Sequence, residues 1–282
     1  MADLPTTCIK DLLLGSAGSL GTVSESPRLD AELLLCHIIN KPRSHLYAWP
    51  EQLLDDIHIR QFEQLLLRRL QGEPIAHLTA KREFWSLMLK VSAATLIPRP
   101  ETEQLVEQAL THIPPGQQWQ VADLGTGSGA IALAIAHERP ASTVTAIEQC
   151  PAALQVARDN AVQIGVDNIH FYQGDWLEGL STDFDIIVSN PPYIRADDPH
   201  LQQDGLPYEP STALVADNHG MAAIEHICQQ ARQHLKPGGW LLMEHGYDQG
   251  PRVKSCLQRY GYHDIETFKD LSGNDRVSQA HI

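Results

Sequence analysis

The sequence predicts an α/β fold preceded by a small all-α domain, and three observations support this. The first seventy or so residues carry apolar side chains at helical spacing. From residue 120 onward, short apolar runs alternate with helical segments, which is typical of a parallel sheet covered by helices on both faces. A chain of 282 residues, 43% hydrophobic and 20% charged, accommodates one large and one small domain and is not largely disordered.

The N-terminal region, residues 1–80, is predicted to be a helical domain. Ser26-Pro27 is a favourable N-cap and first-turn pair, and Leu29, Leu33 and Cys36 follow it at helical spacing. A second helix is expected over about 57–70, ending before Gly72. These positions are typical of a small bundle and carry no catalytic chemistry.

Residues 81–100 are predicted to be a β-hairpin and proline linker, and 101–282 the larger domain. The segment 82–91 has a strand-like pattern. Two prolines within Ile97-Pro98-Arg99-Pro100-Glu101-Thr102-Glu103 predict a stiff, extended stretch. Whether Arg99, Glu101 and Glu103 enter a site, or simply begin a helix, stays open.

The larger domain is predicted to alternate strands and helices. Strands are expected at 120–124, 143–147, 169–172, 184–189 and 240–244, and helices at 129–138, 151–164, 220–235 and 248–260. The segments 263–269 and 275–281, separated by a turn at 270–274, are expected to pair antiparallel.

The net charge of −14 argues against a broad basic face for nucleic acid. Residues 1–84 carry 9 basic and 11 acidic side chains, so most of the negative charge lies in the larger domain. The N-terminal Met-Ala-Asp-Leu-Pro does not resemble a signal peptide, and no apolar run reaches membrane-spanning length. We expect a cytoplasmic protein with no membrane association.

Five cysteines and fourteen histidines show no metal-ligand spacing. The cysteine number is odd and the residues are scattered, which is typical of a reducing compartment. No metal site is predicted.

A glycine-rich loop, Gly125-Thr126-Gly127-Ser128-Gly129, follows the apolar strand that ends near Asp123. Its spacing does not match a dinucleotide fingerprint, and no lysine follows, so it is not a P-loop. Close backbone approach beside carboxylates better suits S-adenosylmethionine, a ligand without phosphate. A simple tight turn is the alternative.

Two acids follow the next strands. Glu148, 19 residues beyond Gly129, is placed to accept both hydroxyls of a ribose, or to begin a helix. Asp175-Trp176 ends the third strand and is predicted to lie beside an adenine, although Trp176 could equally fill a core edge.

The most specific motif is Asn190-Pro191-Pro192-Tyr193 after an apolar strand. The Asn190 side-chain oxygen and the Pro191 carbonyl can both accept from one NH₂ group, and Tyr193 offers a stacking face. Two acceptors can orient a planar nitrogen, whose delocalised lone pair makes it a poor nucleophile, for methyl transfer without a strong base. Asn190 and Tyr193 are therefore the predicted catalytic residues.

These motifs resemble those of the class I S-adenosylmethionine-dependent methyltransferases, with their Rossmann-like sheet, and more narrowly those of the PrmC/HemK release factor glutamine methyltransferases. The likeness covers nearly the whole chain and includes the Pro-Arg-Pro-Glu-Thr-Glu segment and Tyr208-Glu209-Pro210. One departure is Glu148, where aspartate is common.

The resemblance implies that Gly125, Thr126, Gly127, Ser128 and Gly129 line the methionine part of S-adenosylmethionine, with Glu148 on the ribose, Trp176 near the adenine and Asn190 at the junction with the substrate. It implies that Asn190, Pro191, Pro192 and Tyr193 hold the side-chain amide of a glutamine. The family's substrate is the glutamine of the Gly-Gly-Gln loop of class 1 peptide chain release factors, methylated on N5, and the helical domain helps to dock it. We expect a monomer.

Four alternatives stand beside this prediction. A glutamine of a ribosomal protein would use the same motifs. An adenine-N6 methyltransferase would need a basic groove or a recognition domain, and neither is visible. A degenerate fold kept for binding is disfavoured by the intact motifs, and a nicotinamide dehydrogenase by the glycine spacing.

Overall fold

The computed structural model describes residues 7–203 and 205–282, which form two compact units. The smaller unit contains the described residues up to Ala80 together with Gln202–Tyr208, and the larger one contains Lys81–Leu201 and Glu209–Ile282. The segment Met1-Ala2-Asp3-Leu4-Pro5 lies outside the described residues. Within those residues, no helix has both the length and the apolar character to cross a bilayer.

The smaller unit is a helical bundle, as predicted. Phe62 is fully buried in a core with leucines of the first two helices, such as Leu13 and Leu34. Tyr208 belongs to this unit through its hydroxyl, which donates to the main-chain carbonyl of Gln71 at 2.9 Å. The helices of the unit are α1 (Ile9–Leu20), α2 (Pro27–Ile39), α3 (Arg43–Ala48), α4 (Asp56–Leu70) and α5 (Ile75–Thr79).

The buried carboxylate of Glu32 fixes one side of this bundle. It accepts hydrogen bonds from Arg28 at 2.7 Å, from Arg43 at 2.6 Å and from the Tyr47 hydroxyl at 2.8 Å. A buried charge is tolerated only when it is paired in this way. The helix α2 begins at Pro27 as expected, although the Ser26 side chain makes no capping hydrogen bond.

A two-stranded hairpin opens the larger unit. Strands β1 (Lys81–Phe84) and β2 (Leu87–Lys90) pair antiparallel. The connecting residues Trp85 and Ser86 both have positive φ, 53° and 59°, as a two-residue hairpin turn of the I′ type requires.

The central sheet of the described residues has seven strands in the order β5-β4-β3-β6-β7-β9-β8. All neighbours are parallel except β9, which is antiparallel to both β7 and β8. The strands are β3 (Gln120–Leu124), β4 (Thr143–Glu148), β5 (Ile169–Gln173), β6 (Phe184–Ser189), β7 (Leu235–Glu244), β8 (His263–Lys269) and β9 (Asp275–His281).

Helices cover both faces of this sheet because successive strand side chains point to opposite sides. Val121 and Ile186 belong to one buried cluster, and Ala122 and Ile187 to the other. The helices are α6 (Glu103–His112), α7 (Ala130–Glu138), α8 (Pro151–Ile164), α9 (Asp217–Gly220), α10 (Ala222–His234) and α11 (Gly250–Arg259).

The strand order creates a topological switch point. The chain proceeds from β3 outward to β4 and β5, then returns to β6 on the other side of β3. In open α/β sheets, ligands bind in the crevice outside the carboxyl ends of the strands at such a point. The residues that follow β3, β4 and β6 therefore converge at one edge.

Two predictions of local structure were wrong in part. Pro100–Thr102 is a 3₁₀ turn rather than an extended stretch, since the fixed φ of proline also suits the first turn of a helix. The strand expected at 240 begins at Leu235, which is paired with Phe184 and buried.

Candidate functional site

The glycine-rich loop connects β3 to α7 and is fastened to the end of β4. Gly125, Gly127 and Gly129 all have positive φ, at 71°, 56° and 87°, a region that favours glycine. The amides of Gly125 and Thr126 both donate to the carbonyl of Ile147 at 2.9 Å. The loop therefore follows the edge of the sheet with its backbone close to the crevice.

Asp123, near the end of β3, holds this loop through hydrogen bonds to its carboxylate. Its carboxylate Oδ2 accepts from the Thr126 hydroxyl at 2.6 Å and from the Ala132 amide at 3.1 Å. Its Oδ1 is buried without a partner in the described part of the chain. Burial raises the pKa of Asp123 to about 7.

Glu148 ends β4 and is held by two backbone amides. Its Oε2 accepts from Gly127 at 2.9 Å and its Oε1 from Cys150 at 2.9 Å. A carboxylate has about four acceptor sites, so both oxygens can accept further hydrogen bonds from a ligand. The acid is thereby oriented in advance.

Trp176 lies against the glycine-rich loop. Its ring atom Cζ3 is 3.4 Å from the position that a Cβ on Gly125 would occupy. Glycine at 125 thus leaves room for the indole. The ring both packs partly on a core cluster and lines the cavity described below, so the two interpretations of Trp176 are compatible.

The Asn190–Tyr193 segment leaves the end of β6, where the Ser189 hydroxyl donates to the carbonyl of Leu124 at 2.8 Å. Asn190 donates from Nδ2 to the Thr102 hydroxyl at 3.2 Å. The Tyr193 hydroxyl is directed inward, to Glu244 Oε1 at 3.2 Å. Burial raises the pKa values of Tyr193 and Glu244, so the phenol stays neutral.

The main chain of this segment is also supported. Gln249 Nε2 donates to the Tyr193 carbonyl at 3.0 Å, while Gln249 Oε1 accepts from the Gly246 amide at 2.8 Å. Gly220 packs so closely that an added Cβ would lie 2.1 Å from the Tyr193 carbonyl oxygen. These contacts fix the backbone that follows the two prolines.

A cavity of about 340 Å³ lies where these segments meet. Of the predicted site residues, Gly125, Gly127, Glu148, Trp176, Asn190 and Pro192 line it. Thr126, Ser128, Gly129, Pro191 and Tyr193 are not among its lining residues.

Two wall segments were not predicted from the sequence, namely 94–96 and 210–213. Glu209 connects them, since its buried carboxylate accepts from the Ile97 amide at 2.8 Å and pairs with Arg99. Arg99 and Glu209 lie in motifs that carried the family resemblance, but no local sequence pattern indicates that these two side chains are in contact. Thr102, Gly220, Glu244 and Gln249 were missed for the same reason.

The chemistry of the cavity fits a cationic, adenine-bearing ligand. Glu148 and Asp175 line it with an indole and close backbone, and among the described residues no Lys or Arg side chain lines it. A phosphate group would require a basic side chain, or several backbone amides directed at it. The described residues contain no group of three or more potential metal-ligating side chains.

Two family models match the chain. One, described as "PrmC N-terminal domain", matches residues 13–79, and the other, described as "Methyltransferase domain", matches residues 116–272.

Curated relatives are similar over nearly the whole chain. The release factor glutamine methyltransferase of Escherichia coli K12 is 52% identical over 256 residues, covering 90% of this chain and 92% of the relative. The protein of the same name from Aliivibrio fischeri is 51% identical over 257 residues and 90% of each chain. The Coxiella burnetii one is 47% identical over 273 residues, covering 96% of this chain and 98% of the relative.

Solved structures share the fold at low sequence identity. A methyltransferase from Pyrococcus furiosus has a TM-score of 0.54 and 19% identity, covering 78% of this chain and 98% of its own. A Thermus thermophilus 16S rRNA N2 G1207 methyltransferase, solved with AdoMet and guanosine, has a TM-score of 0.52 and 20% identity, covering 71% and 49%. These similarities support the α/β architecture of the larger unit.

Proposed function

The chain belongs to the release factor glutamine methyltransferase family, and we propose that it transfers a methyl group from S-adenosylmethionine to N5 of the glutamine in the Gly-Gly-Gln loop of class 1 peptide chain release factors. One observation carries the site assignment. Asn190 lines an acid-bearing cavity, and its amide nitrogen is engaged by Thr102, so its oxygen is left for a substrate.

S-adenosylmethionine would be held by the cavity walls and would supply an electrophilic methyl group on a sulfonium. Glu148, the last residue of β4, would accept from the ribose hydroxyls, and its place in the cavity wall supports this role. Trp176 offers an apolar ring face for the adenine. Backbone at Gly125 and Gly127 permits close approach of the methionine portion.

Asn190 and the Pro191 carbonyl would bind the substrate amide. Two acceptors directed at one NH₂ group fix its orientation and stabilise the positive charge that grows on nitrogen. The proton leaves only after that charge has formed, so no strong base is required. Tyr193 does not line the cavity, so stacking of its ring on the glutamine side chain stays a prediction, while its neutral hydroxyl donates to Glu244 and supports the loop.

The helical unit of residues 1–80 would dock the release factor, and the PrmC N-terminal domain match supports this role. Comparison of the whole release factor with a short Gly-Gly-Gln peptide tests it in the intact chain. Docking predicts a much lower KM for the whole protein with a similar kcat. Equal KM values would assign this unit a purely structural role.

We retain three further predictions from the sequence: the chain acts as a monomer, in the cytoplasm, and without binding nucleic acid directly. The net charge of −14 supports the last of these.

The deciding experiment is transfer of labelled methyl from S-adenosylmethionine to purified release factor, beside a release factor in which the loop glutamine is replaced. Label on the first and none on the second supports the proposal. Absence of label on both, with cofactor binding intact, rejects release factors as the substrate and directs the search to a ribosomal-protein glutamine.

A further inference from the structure

We propose that Gln230 of α10 is a positioning residue for the adenine of S-adenosylmethionine. Its side-chain oxygen binds the Leu177 amide and thereby keeps the backbone of Trp176 in the strained conformation that holds the indole at the cavity wall. This inference rests on the proposed function, because it takes Trp176 as the adenine-packing residue of that cofactor site.

The backbone conformation of Trp176 is unusual. Its φ is +51°, in the left-handed region that a bulky side chain rarely adopts. Trp176 occupies the first central position of a turn in which the Glu178 amide donates to the Asp175 carbonyl at 3.1 Å. Glycine would adopt this conformation without strain, so a tryptophan persists here only because surrounding contacts hold it.

Those contacts come from α10 and act on the next residue, Leu177. Gln230 Oε1 accepts from the Leu177 amide at 2.9 Å. The Leu177 side chain is 1% exposed and shares a buried cluster with Ile227 and Ala231 of the same helix. Because both the main chain and the side chain of Leu177 are fixed, the preceding residue, Trp176, has little freedom to change its backbone conformation.

The orientation of the Gln230 amide follows from its two partners. A main-chain N–H can only donate, so Gln230 must present Oε1 to Leu177. Gln230 Nε2 lies 2.7 Å from Nε2 of His226, one turn earlier on α10, and donates to that ring nitrogen. Both ends of the amide are therefore hydrogen-bonded, which directs Oε1 toward Leu177 without any contribution from the cofactor.

The glycine-rich loop limits the indole on its other side. The ring atom Cζ3 of Trp176 is 3.4 Å from the position that a Cβ on Gly125 would occupy. Trp176 lines the cavity together with Gly125 and Glu148. The ring thus has a fixed orientation before the adenine arrives, and preorganisation of this kind raises affinity because less ordering remains at binding.

Cofactor affinity is therefore coupled to a side chain outside the cavity wall, since Gln230 is not among the residues that line it. Loss of the Gln230 oxygen would leave the Leu177 amide without its acceptor and let the Trp176 backbone relax to negative φ, which moves the indole. The effect falls on cofactor binding rather than on methyl transfer, because Asn190 follows a different strand, β6.

The test compares Gln230→Leu, which removes the acceptor at similar volume, with Gln230→Glu, which keeps an oxygen for the Leu177 amide. His226 can move its ring proton to the other nitrogen and donate to the glutamate. Gln229→Leu, at the neighbouring exposed position, is the matched control. Each change is made in the wild type and in Trp176→Ala, and the dissociation constant for S-adenosylmethionine is measured by titration calorimetry.

We expect Gln230→Leu to raise this dissociation constant about tenfold, the size of one buried hydrogen bond, with kcat at saturating cofactor within about twofold of wild type. The Leu177 amide should exchange faster with solvent. Gln230→Glu and Gln229→Leu should bind the cofactor within about twofold of wild type. In the Trp176→Ala background, Gln230→Leu should change the dissociation constant by less than about twofold, because the ring through which Gln230 acts is absent.

The inference is overturned if Gln230→Leu binds S-adenosylmethionine like the wild type, or if it weakens binding equally with and without the indole. Should Gln230→Leu fail to fold, Gln230→Asn, which is too short to reach the Leu177 amide, is compared with Gln230→Glu in the same two backgrounds. Failure of the proposed function is distinguishable, because the wild type would then not methylate release factor whatever Gln230 does to cofactor binding. A wild type that binds no S-adenosylmethionine would reject both.

Discussion

Gln249 donates from Nε2 to the main-chain carbonyl of Tyr193 at 3.0 Å, which links the loop after β7 to the Asn-Pro-Pro-Tyr segment after β6. The same amide accepts from Gly246 through Oε1. One side chain therefore fixes two backbone segments. The Nε2 donor of Gln249 is the group that holds the Asn-Pro-Pro-Tyr segment.

Gln249→Glu is expected to impair catalysis while preserving volume. A carboxylate cannot donate to the Tyr193 carbonyl and repels it, so the loop shifts and kcat should fall by roughly 10- to 100-fold. Methyl transfer and cofactor affinity are measured together. Gln258→Glu, at an exposed position of α11, is the matched control and should leave both unchanged. An unchanged kcat in Gln249→Glu would show that this hydrogen bond does not support catalysis.

Gly220→Ala should be far more damaging than an alanine at a comparable glycine. An added Cβ would lie 2.1 Å from the Tyr193 carbonyl oxygen, and φ is +81°. Gly165 has the same φ of +81° with nothing within 4 Å, so Gly165→Ala carries only the backbone cost, about 1–2 kcal/mol. Urea unfolding and kcat of both variants check this, and equal effects would argue against a role for the close approach.

Asn190→Ala should separate catalysis from cofactor binding. Loss of the acceptor should lower kcat by about 10²–10³-fold, by analogy with removal of one oriented hydrogen-bonding group elsewhere. S-adenosylmethionine affinity, measured by titration calorimetry, should change little because Glu148 and the glycine-rich loop remain. An unaltered kcat would exclude the acceptor role.

Glu209→Ala should weaken the binding of S-adenosylmethionine by loosening two walls of the cavity. Glu209 connects Ile97 and Arg99 to the segment 210–213, and both connected segments adjoin walls of the cavity. We expect the dissociation constant for S-adenosylmethionine to rise about tenfold, the size of one lost charge-assisted contact. The exposed Glu107→Ala is the control. Equal affinities in the two variants would show that these walls hold without Glu209.

Asp123→Asn should change how stability depends on pH. The folded-state pKa of Asp123 is raised to about 7, above the ordinary value of 3.8, because the carboxyl is buried. Its contribution to stability is therefore fully present below about pH 4 and is lost as pH rises toward 7. The asparagine variant lacks this loss. Its free energy of unfolding should therefore increase relative to that of the wild type by up to about 4 kcal/mol between pH 4 and 8. Urea unfolding across that range tests it, and parallel pH curves would contradict the assignment.

Much of the larger unit was predictable because its signals are local. The strands 120–124 and 184–189 and the helix 151–164 were predicted with the observed bounds. Apolar runs of strand length, Pro151 at a helix start and Gly165 at its end carry that information within a few residues of chain. Loop glycines and the Asn-Pro-Pro-Tyr motif were recognisable for the same reason.

The supporting contacts of the site were not predictable, because they join distant parts of the chain. Thr102 and Asn190 are 88 positions apart, and Tyr193 and Glu244 are 51 positions apart. Periodicity reports which face of an element is buried, not which polar side chain meets another. In the sequence, Thr102 resembles an ordinary helix-start residue and Glu244 the end of a strand; only the fold brings Thr102 to Asn190 and Glu244 to Tyr193.

The antiparallel position of β9 has a consequence for how the sheet is assembled. Strand β8 precedes β9 in the chain, yet its partner in the sheet is β9, which also pairs with β7. During synthesis, β8 therefore emerges before its native partner β9, and an unpaired strand is prone to aggregation. Asp264, Glu266 and Lys269 place charges along β8, which remains an edge strand of the folded sheet, and charges on an edge strand oppose its pairing with other chains.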